Sequence, residues 1–155
     1  MKAPKTKFVM LTVENVIPKA LFAITGNVHL HEGPSTADLP DASPVNIVQR
    51  DQNVFVHFVW SQAGWLGKML SSSCKWEARV YLEQMGAGEV GNPAPVSISF
   101  KRAGSASYNG VVTIPAYSLP EGAYKVIATL MLHGPLGPTP IAAFEDIGVL
   151  QVYED

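Results

Sequence analysis

Four histidines, one cysteine and a thin scatter of carboxylates are the residues of this chain whose chemistry goes beyond packing. Val28-His29-Leu30-His31-Glu32 holds two of the histidines, one residue apart. On a β-strand alternate side chains share a face, so His29 and His31 can present two imidazoles to one metal ion. Glu32 projects to the opposite face and is poorly placed to complete that set. His57 and His133 lie in other segments, and only the fold could bring them to the pair. Hydrogen-bonded or solvated imidazoles are the plainer reading of the same residues. Cys74 stands between Ser73 and Lys75. An ammonium neighbour and a histidine base would make it a nucleophile, but nothing in the linear sequence puts a histidine beside it. A packed thiol is the simpler expectation. Gly86-Ala87-Gly88-Glu89-Val90-Gly91 has the spacing of a dinucleotide-binding glycine loop. That loop works only where a helix begins, so that the helix N-terminus meets the pyrophosphate. Asn92-Pro93-Ala94-Pro95 follows instead, and the stretch reads as an inter-strand loop with no cofactor. Glu77 and Glu83 share a strand face but stand roughly 20 Å apart at about 3.3 Å per residue, too far for an acid–base dyad.

The elements that must position these groups are strands. Phe8–Val13 is apolar and rich in β-formers. Lys19–His31, set off by Pro18, reads as a strand bent or bulged at Gly26. Glu32–Pro44 is punctuated by Gly33, Pro34 and Pro40 and reads as a loop. Val45–Arg50 is a strand, Asp51-Gln52-Asn53 a turn, and Val54–Trp60 the continuous apolar run expected of a central strand. Gly64–Ser73 is a loop with large apolar members. Lys75–Gln84 alternates, with Trp76, Ala78, Val80 and Leu82 on one face. Val96, Ile98 and Phe100 mark a half-buried strand, and Tyr108–Tyr117 a further one. Tyr124–His133 places Tyr124, Val126, Ala128, Leu130 and Leu132 on one face. Gly134–Pro140 is a loop and Phe144–Tyr153 the last strand. No window sustains a 3.6-residue apolar stripe.

Leu119-Pro120-Glu121-Gly122-Ala123-Tyr124 organises this pattern: a Pro-Glu-Gly turn delivers a tyrosine into a run of β-formers. It resembles the tyrosine corner that opens the second-last strand of immunoglobulin-like and fibronectin-III-like sandwiches. In that corner a Leu and a Tyr flank the turn, and the Tyr hydroxyl reaches back to upstream backbone. Trp76, near the start of the third core strand, matches the tryptophan an immunoglobulin-like fold sets against its core. The resemblance is to a superfamily and spans roughly residues 44–155. It implies an all-β, antiparallel, immunoglobulin-like sandwich over 1–155. The N-terminal strands and loop would lie in 1–43 and the immunoglobulin-like core in 44–155. Leu119, Gly122, Tyr124 and Trp76 carry that architecture. The His29–His31 pair is similar to the imidazole pair of cupins, but the cupin glutamate comes several residues later, and the second cupin motif has no clear match here.

Eleven Lys and Arg against thirteen Asp and Glu give a net charge of −2. With no basic block, duplex nucleic acid and anionic membranes are poor partners. Charged residues make up 15% of the chain, against about 25% in ordinary globular domains, and the mean hydropathy is +0.14. Too few charges to coat a solitary domain imply a surface covered by another copy or a partner. One cysteine excludes an intrachain disulfide. The apolar run Phe8–Val13 is too short for a signal-peptide core or a membrane span, and cytoplasmic residence is expected.

These readings converge on a non-enzymatic interaction or structural module that forms a homo-oligomer or docks on a larger protein. Its contacts are expected in the greasy connections, at Trp65, Leu66, Met69 and Leu70 and at Leu136, Ile141 and Phe144. The same residues could instead fold over and cap the ends of the core. The alternative is a small-ligand or metal-binding barrel enzyme using His29 and His31. A weaker one is a carbohydrate-binding sandwich with Trp60 or Trp65 as its platform.

Overall fold

Strand-forming alternation governs nearly all of the structure, a computed structural model that describes residues 9–13, 17–32 and 47–154. In chain order the elements are β1 Val9–Met10, β2 Thr12–Val13, β3 Ala23–Glu32, β4 Ile47–Gln49, β5 Val54–Ala63, a one-turn helix α1 Leu66–Met69, β6 Lys75–Gln84, β7 Gly88–Glu89, β8 Val96–Ser99, β9 Ser105–Ile114, β10 Gly122–Gly134 and β11 Gly137–Tyr153. Sheet A has the order β1-β3-β5-β9. Sheet B has the order β2-β11-β10-β6-β7, with β4 beside β11 and β8 beside β6. All of these pairings are antiparallel except β4 with β11. The fold is the expected all-β sandwich. The expected loop Glu32–Pro44, Phe8 and the start of the Val45 strand lie outside the described residues, apart from Glu32, which closes β3.

One apolar core fills the space between the sheets. β5 contributes Val54, Val56, Phe58 and Trp60, β6 contributes Trp76, Ala78, Val80 and Leu82, and β10 contributes Tyr124, Val126, Ala128, Leu130 and Leu132. The small members alternate with large ones across the register, Ala78 opposite Leu130 and Ala128 opposite Val80. Trp60 and Trp76 meet edge to face with ring centres 6.0 Å apart, and Tyr108 lies flat on Trp60 at 5.4 Å. Such pairs add to the area they bury. At one end Gln62, almost fully buried, donates through Nε2 to the carbonyls of Lys101 (3.0 Å) and Ala103 (3.1 Å) and accepts from the Tyr108 hydroxyl at 2.8 Å. This ties the β8–β9 connection to the sandwich, since buried polar atoms must find partners.

The N-terminal strands belong to both sheets. β1 pairs with β3 in sheet A, and β2 pairs with β11 in sheet B. Leu11, buried between them, donates its N–H to the Gly26 carbonyl at 3.0 Å. The strand expected from Lys19 begins at Ala23, after a turn in which Leu21 and Phe22 donate to the Pro18 carbonyl.

Three expectations need correction. β3 and β5 pair in unbroken register from Ala23–Ala63 to Glu32–Val54, so there is no bulge at Gly26. Gly26 lies opposite Trp60, and a Cβ on it would stand 2.7 Å from Trp60 Cβ; the glycine makes room for the close approach of the β5 backbone. The supposed loop Gly134–Pro140 is a hairpin whose strands run to the Pro135-Leu136 turn. Pro138 and Pro140 fall where β11 has β10 on one side only among the described strands, an edge position that tolerates a missing N–H. The supposed loop Gly64–Ser73 contains α1.

The Leu119–Tyr124 turn is built as expected from its residues. Leu119 is buried, Tyr124 is fully buried, and the Tyr124 hydroxyl donates to the Pro120 carbonyl at 2.5 Å. Gly122 takes a φ of +153° with the Gln84 amide against it, so that a Cβ would meet Nε2 at 2.9 Å. Tyr124→Phe is expected to cost about 1 kcal/mol, the net worth of one such hydrogen bond. Burial pushes the Tyr124 phenol above its ordinary pKa, with the Arg50 guanidinium opposing. The folded state therefore holds the phenolic proton more tightly than the unfolded one. Stability from this group is complete below the unfolded value, near 10, and is lost as pH rises from there towards the folded value. Equilibrium unfolding between pH 9 and 11 is expected to show a decline in wild type that is shallower in Tyr124→Phe; parallel profiles would remove this assignment.

Candidate functional site

The outward face of sheet B departs from the pattern of a solvent-facing sheet. An antiparallel sheet with one face in solvent normally alternates apolar-in and polar-out. Here the inward set is apolar, yet the outward positions of β6, β10 and β11 include Tyr81, Ile127, Met131, Phe144 and Val149 as well. Register sets them in rows: Glu83–Lys125–Val149, Tyr81–Ile127–Asp146, Arg79–Thr129–Phe144 and Glu77–Met131–Ala142. Tyr81 and Phe144 are each 44% exposed and Val149 51%. Ile127 and Met131 are half-buried between them. Beyond the end of β6, Met85 joins this face and is exposed.

A register shift between Val126 and Ile127 adds a residue to β11. The bulge keeps Ile147 against the core while Asp146 and Val149 both stand outward. Gly148 donates its N–H to the Asp146 carboxylate at 3.0 Å. A shallow depression of about 440 Å³ lies there, bounded by Glu83, Met85, Lys125, Asp146 and Val149. Two ion pairs lie on this face, Arg79 with Glu77 and Lys125 with Asp146 at 3.8 Å, and Glu83 stands opposite Lys125 in the register. The patch therefore carries both signs.

The residues singled out in the connections divide. Trp65, Met69 and Leu136 are exposed, as is Phe144 on its strand. Leu66 and Leu70 are half-buried against the core, and Ile141 is a core residue. Trp60 is 2% exposed and cannot offer a platform to a sugar. Cys74 is buried in the core cluster. Gly86–Gly91 holds the two-residue strand β7 and no helix. Tyr81, Ile127, Met131 and Val149 were not among the expected contact residues. Their signal is visible in the sequence as apolar side chains on the second face of three strands.

On the outward face of sheet A the structure gathers three histidines. His29 and His31 alternate with the core residues Val28 and Leu30, and so point away from the core. His57 lies directly across the register from His29. All three are nearly buried, at 6%, 2% and 3% exposure. The His31 and His57 Nε2 atoms are in hydrogen-bond contact. Ring centres are 4.4 Å apart for His31–His57, 5.1 Å for His29–His57 and 6.4 Å for His29–His31. Phe55, buried beside them at 5.2 Å from His31, is not part of the core cluster. His133 lies on sheet B. At the edge where β1 and β2 change sheets, an apolar cleft of about 310 Å³ is lined by Leu11, Phe22, Ile24 and Ile141, with Lys19 beside it. Among the described residues no helix is long and apolar enough to cross a membrane. No protein-family model matches this chain, and no curated protein matches its sequence.

Proposed function

We propose that this chain is a non-enzymatic, immunoglobulin-like interaction module that associates with a second copy of itself through the outward face of sheet B. The immunoglobulin-like reading is supported by the Tyr124–Pro120 hydrogen bond and by Trp76 at the centre of the core. The interaction reading rests on one observation: Tyr81, Ile127, Met131, Phe144 and Val149, from three adjacent strands, share one outward face with charges of both signs. An apolar centre with a polar rim is the anatomy of a protein interface, and aromatic and methionine side chains are enriched in such centres.

A second copy is the occupant that the charges favour. A patch holding Arg79 and Lys125 together with Glu77, Glu83 and Asp146 does not select a strongly basic or acidic partner. A two-fold axis sets such a patch against itself, so that each cation can meet the other copy's anion. The test is the solution mass of the untagged chain over a range of concentrations by sedimentation equilibrium. A concentration-dependent dimer is expected. Phe144→Glu, at an exposed site that leaves folding intact by circular dichroism, is expected to weaken it at least about thirtyfold, the equivalent of 2 kcal/mol for an aromatic anchor. A monomer at every concentration, or a dimer indifferent to Phe144→Glu, would overturn the proposal.

A further inference from the structure

The histidine cluster lies on the other sheet and owes nothing to the dimer. We propose that His31 and His57, joined by His29, form a binding site for a transition-metal ion of the zinc class. Two strands deliver the imidazoles. Register sets His57 opposite His29, and alternation puts His31 on the same face as His29. The Nε2 atoms of His31 and His57 already face each other in hydrogen-bond contact. An ion bound by both nitrogens takes the place of that hydrogen bond, the donor ring then carrying its proton on Nδ1.

The ring spacings suit a single ion. With a metal–nitrogen bond of 2.0–2.1 Å, an imidazole ring centre lies about 3.2 Å from the ion, and tetrahedral ligands then have ring centres about 5.2 Å apart. The observed separations of 4.4, 5.1 and 6.4 Å bracket that figure. As the side chains stand, no set of three donors among the described residues is placed to hold an ion. Binding therefore requires the His31–His57 pair to part slightly and His29 to turn towards it.

The chemistry selects the metal class. The described neighbours on this face, by register, are Asn27, Phe55, Val59, Asn109, Val111 and Thr113. No carboxylate or thiolate stands among them. Neutral imidazoles suit Zn²⁺, Co²⁺, Ni²⁺ and Cu²⁺ and not the oxygen-seeking Mg²⁺ or Ca²⁺.

The cluster thus differs from the pair expected from sequence. The converging nitrogens are those of His31 and His57 on adjacent strands, and the acidic partner of a cupin-like set plays no part.

Co²⁺ titration of the untagged chain tests the site, because tetrahedral Co²⁺ has an intense visible absorption that the aqueous ion lacks. One ion per chain is expected with that spectrum, and Zn²⁺ should displace it. His31→Gln and His57→Gln should each weaken binding at least tenfold, while His133→Gln should leave it unchanged. Ring ¹⁵N chemical shifts of the unmutated chain give a second readout should a variant fail to fold: Zn²⁺ must move the signals of His31 and His57 and leave those of His133. Absence of the tetrahedral spectrum, binding that survives loss of His31 and His57, or loss of binding in His133→Gln would each overturn the proposal.

Discussion

Alanine in place of Trp76 lowers the free energy of unfolding by about 3–5 kcal/mol, the range for deleting a large buried aromatic side chain. The size of the effect follows from position. Trp76 is fully buried on β6, with Leu132 of β10 paired on one side and Ile98 of β8 on the other. Its ring meets those of Trp60 at 6.0 Å, Tyr108 at 5.9 Å, Phe22 at 6.4 Å and Phe100 at 6.4 Å. These four residues come from β5, β9 and the flanks of β3 and β8, so the cavity left by alanine is walled by both sheets. Such walls collapse poorly where they belong to hydrogen-bonded strands, as Trp60 and Tyr108 do. Since whole domains are stable by only about 5–15 kcal/mol, the variant loses a large share of its stability. Trp76→Phe should cost distinctly less. The Trp76 indole N–H has no acceptor among the described residues, so the change gives up volume and no hydrogen bond. Urea unfolding of both variants provides the check. A loss under about 1.5 kcal/mol for Trp76→Ala, well below the range for such deletions, would mean that Trp76 is not at the centre of the core.

Gly26→Val sets local preference against tertiary packing. Valine is a strong strand former and glycine a weak one, on a scale spanning about 1 kcal/mol. Read locally, the change should stabilise β3. The structure predicts the opposite. A Cβ at position 26 would stand 2.7 Å from the Trp60 Cβ and 2.8 Å from its Cα, and would press on the Val59 carbonyl oxygen. The nearest atoms are backbone of the paired strand, so relief requires the sheet itself to move and not a side chain to turn. Overpacking of this kind costs about 1–3 kcal/mol, and a backbone neighbour puts Gly26→Val at the upper end. The midpoint of urea unfolding should fall; a rise would restore the view of Gly26 as a mere weak point in a strand.

Much of the fold was legible because alternation is a local property. Each of the runs Lys75–Gln84 and Tyr124–His133 states its own inward face, and the residues on those faces are nearly or fully buried. The turn at Leu119–Tyr124 was likewise readable, since a Pro-Glu-Gly sequence and its following tyrosine act within six residues. Gly26 was misread because glycine in a strand has two meanings, a bulge or a close approach, and the residue that distinguishes them, Trp60, is remote in the chain. The Gly134–Pro140 segment was misread because prolines and glycines bar a central strand but not the unpaired end of an edge. The outward patch on sheet B was visible only in part. Ile127 and Met131 are apolar on the wrong face of an alternating run, but their joining Tyr81, Phe144 and Val149 depends on register across three strands. The histidine cluster divides in the same way. His29 and His31 share a face by the geometry of one strand, which a sequence determines alone. The arrival of His57 was decided by the pairing of β3 with β5, because only hydrogen-bonded register converts positions remote in sequence into neighbours a few ångströms apart.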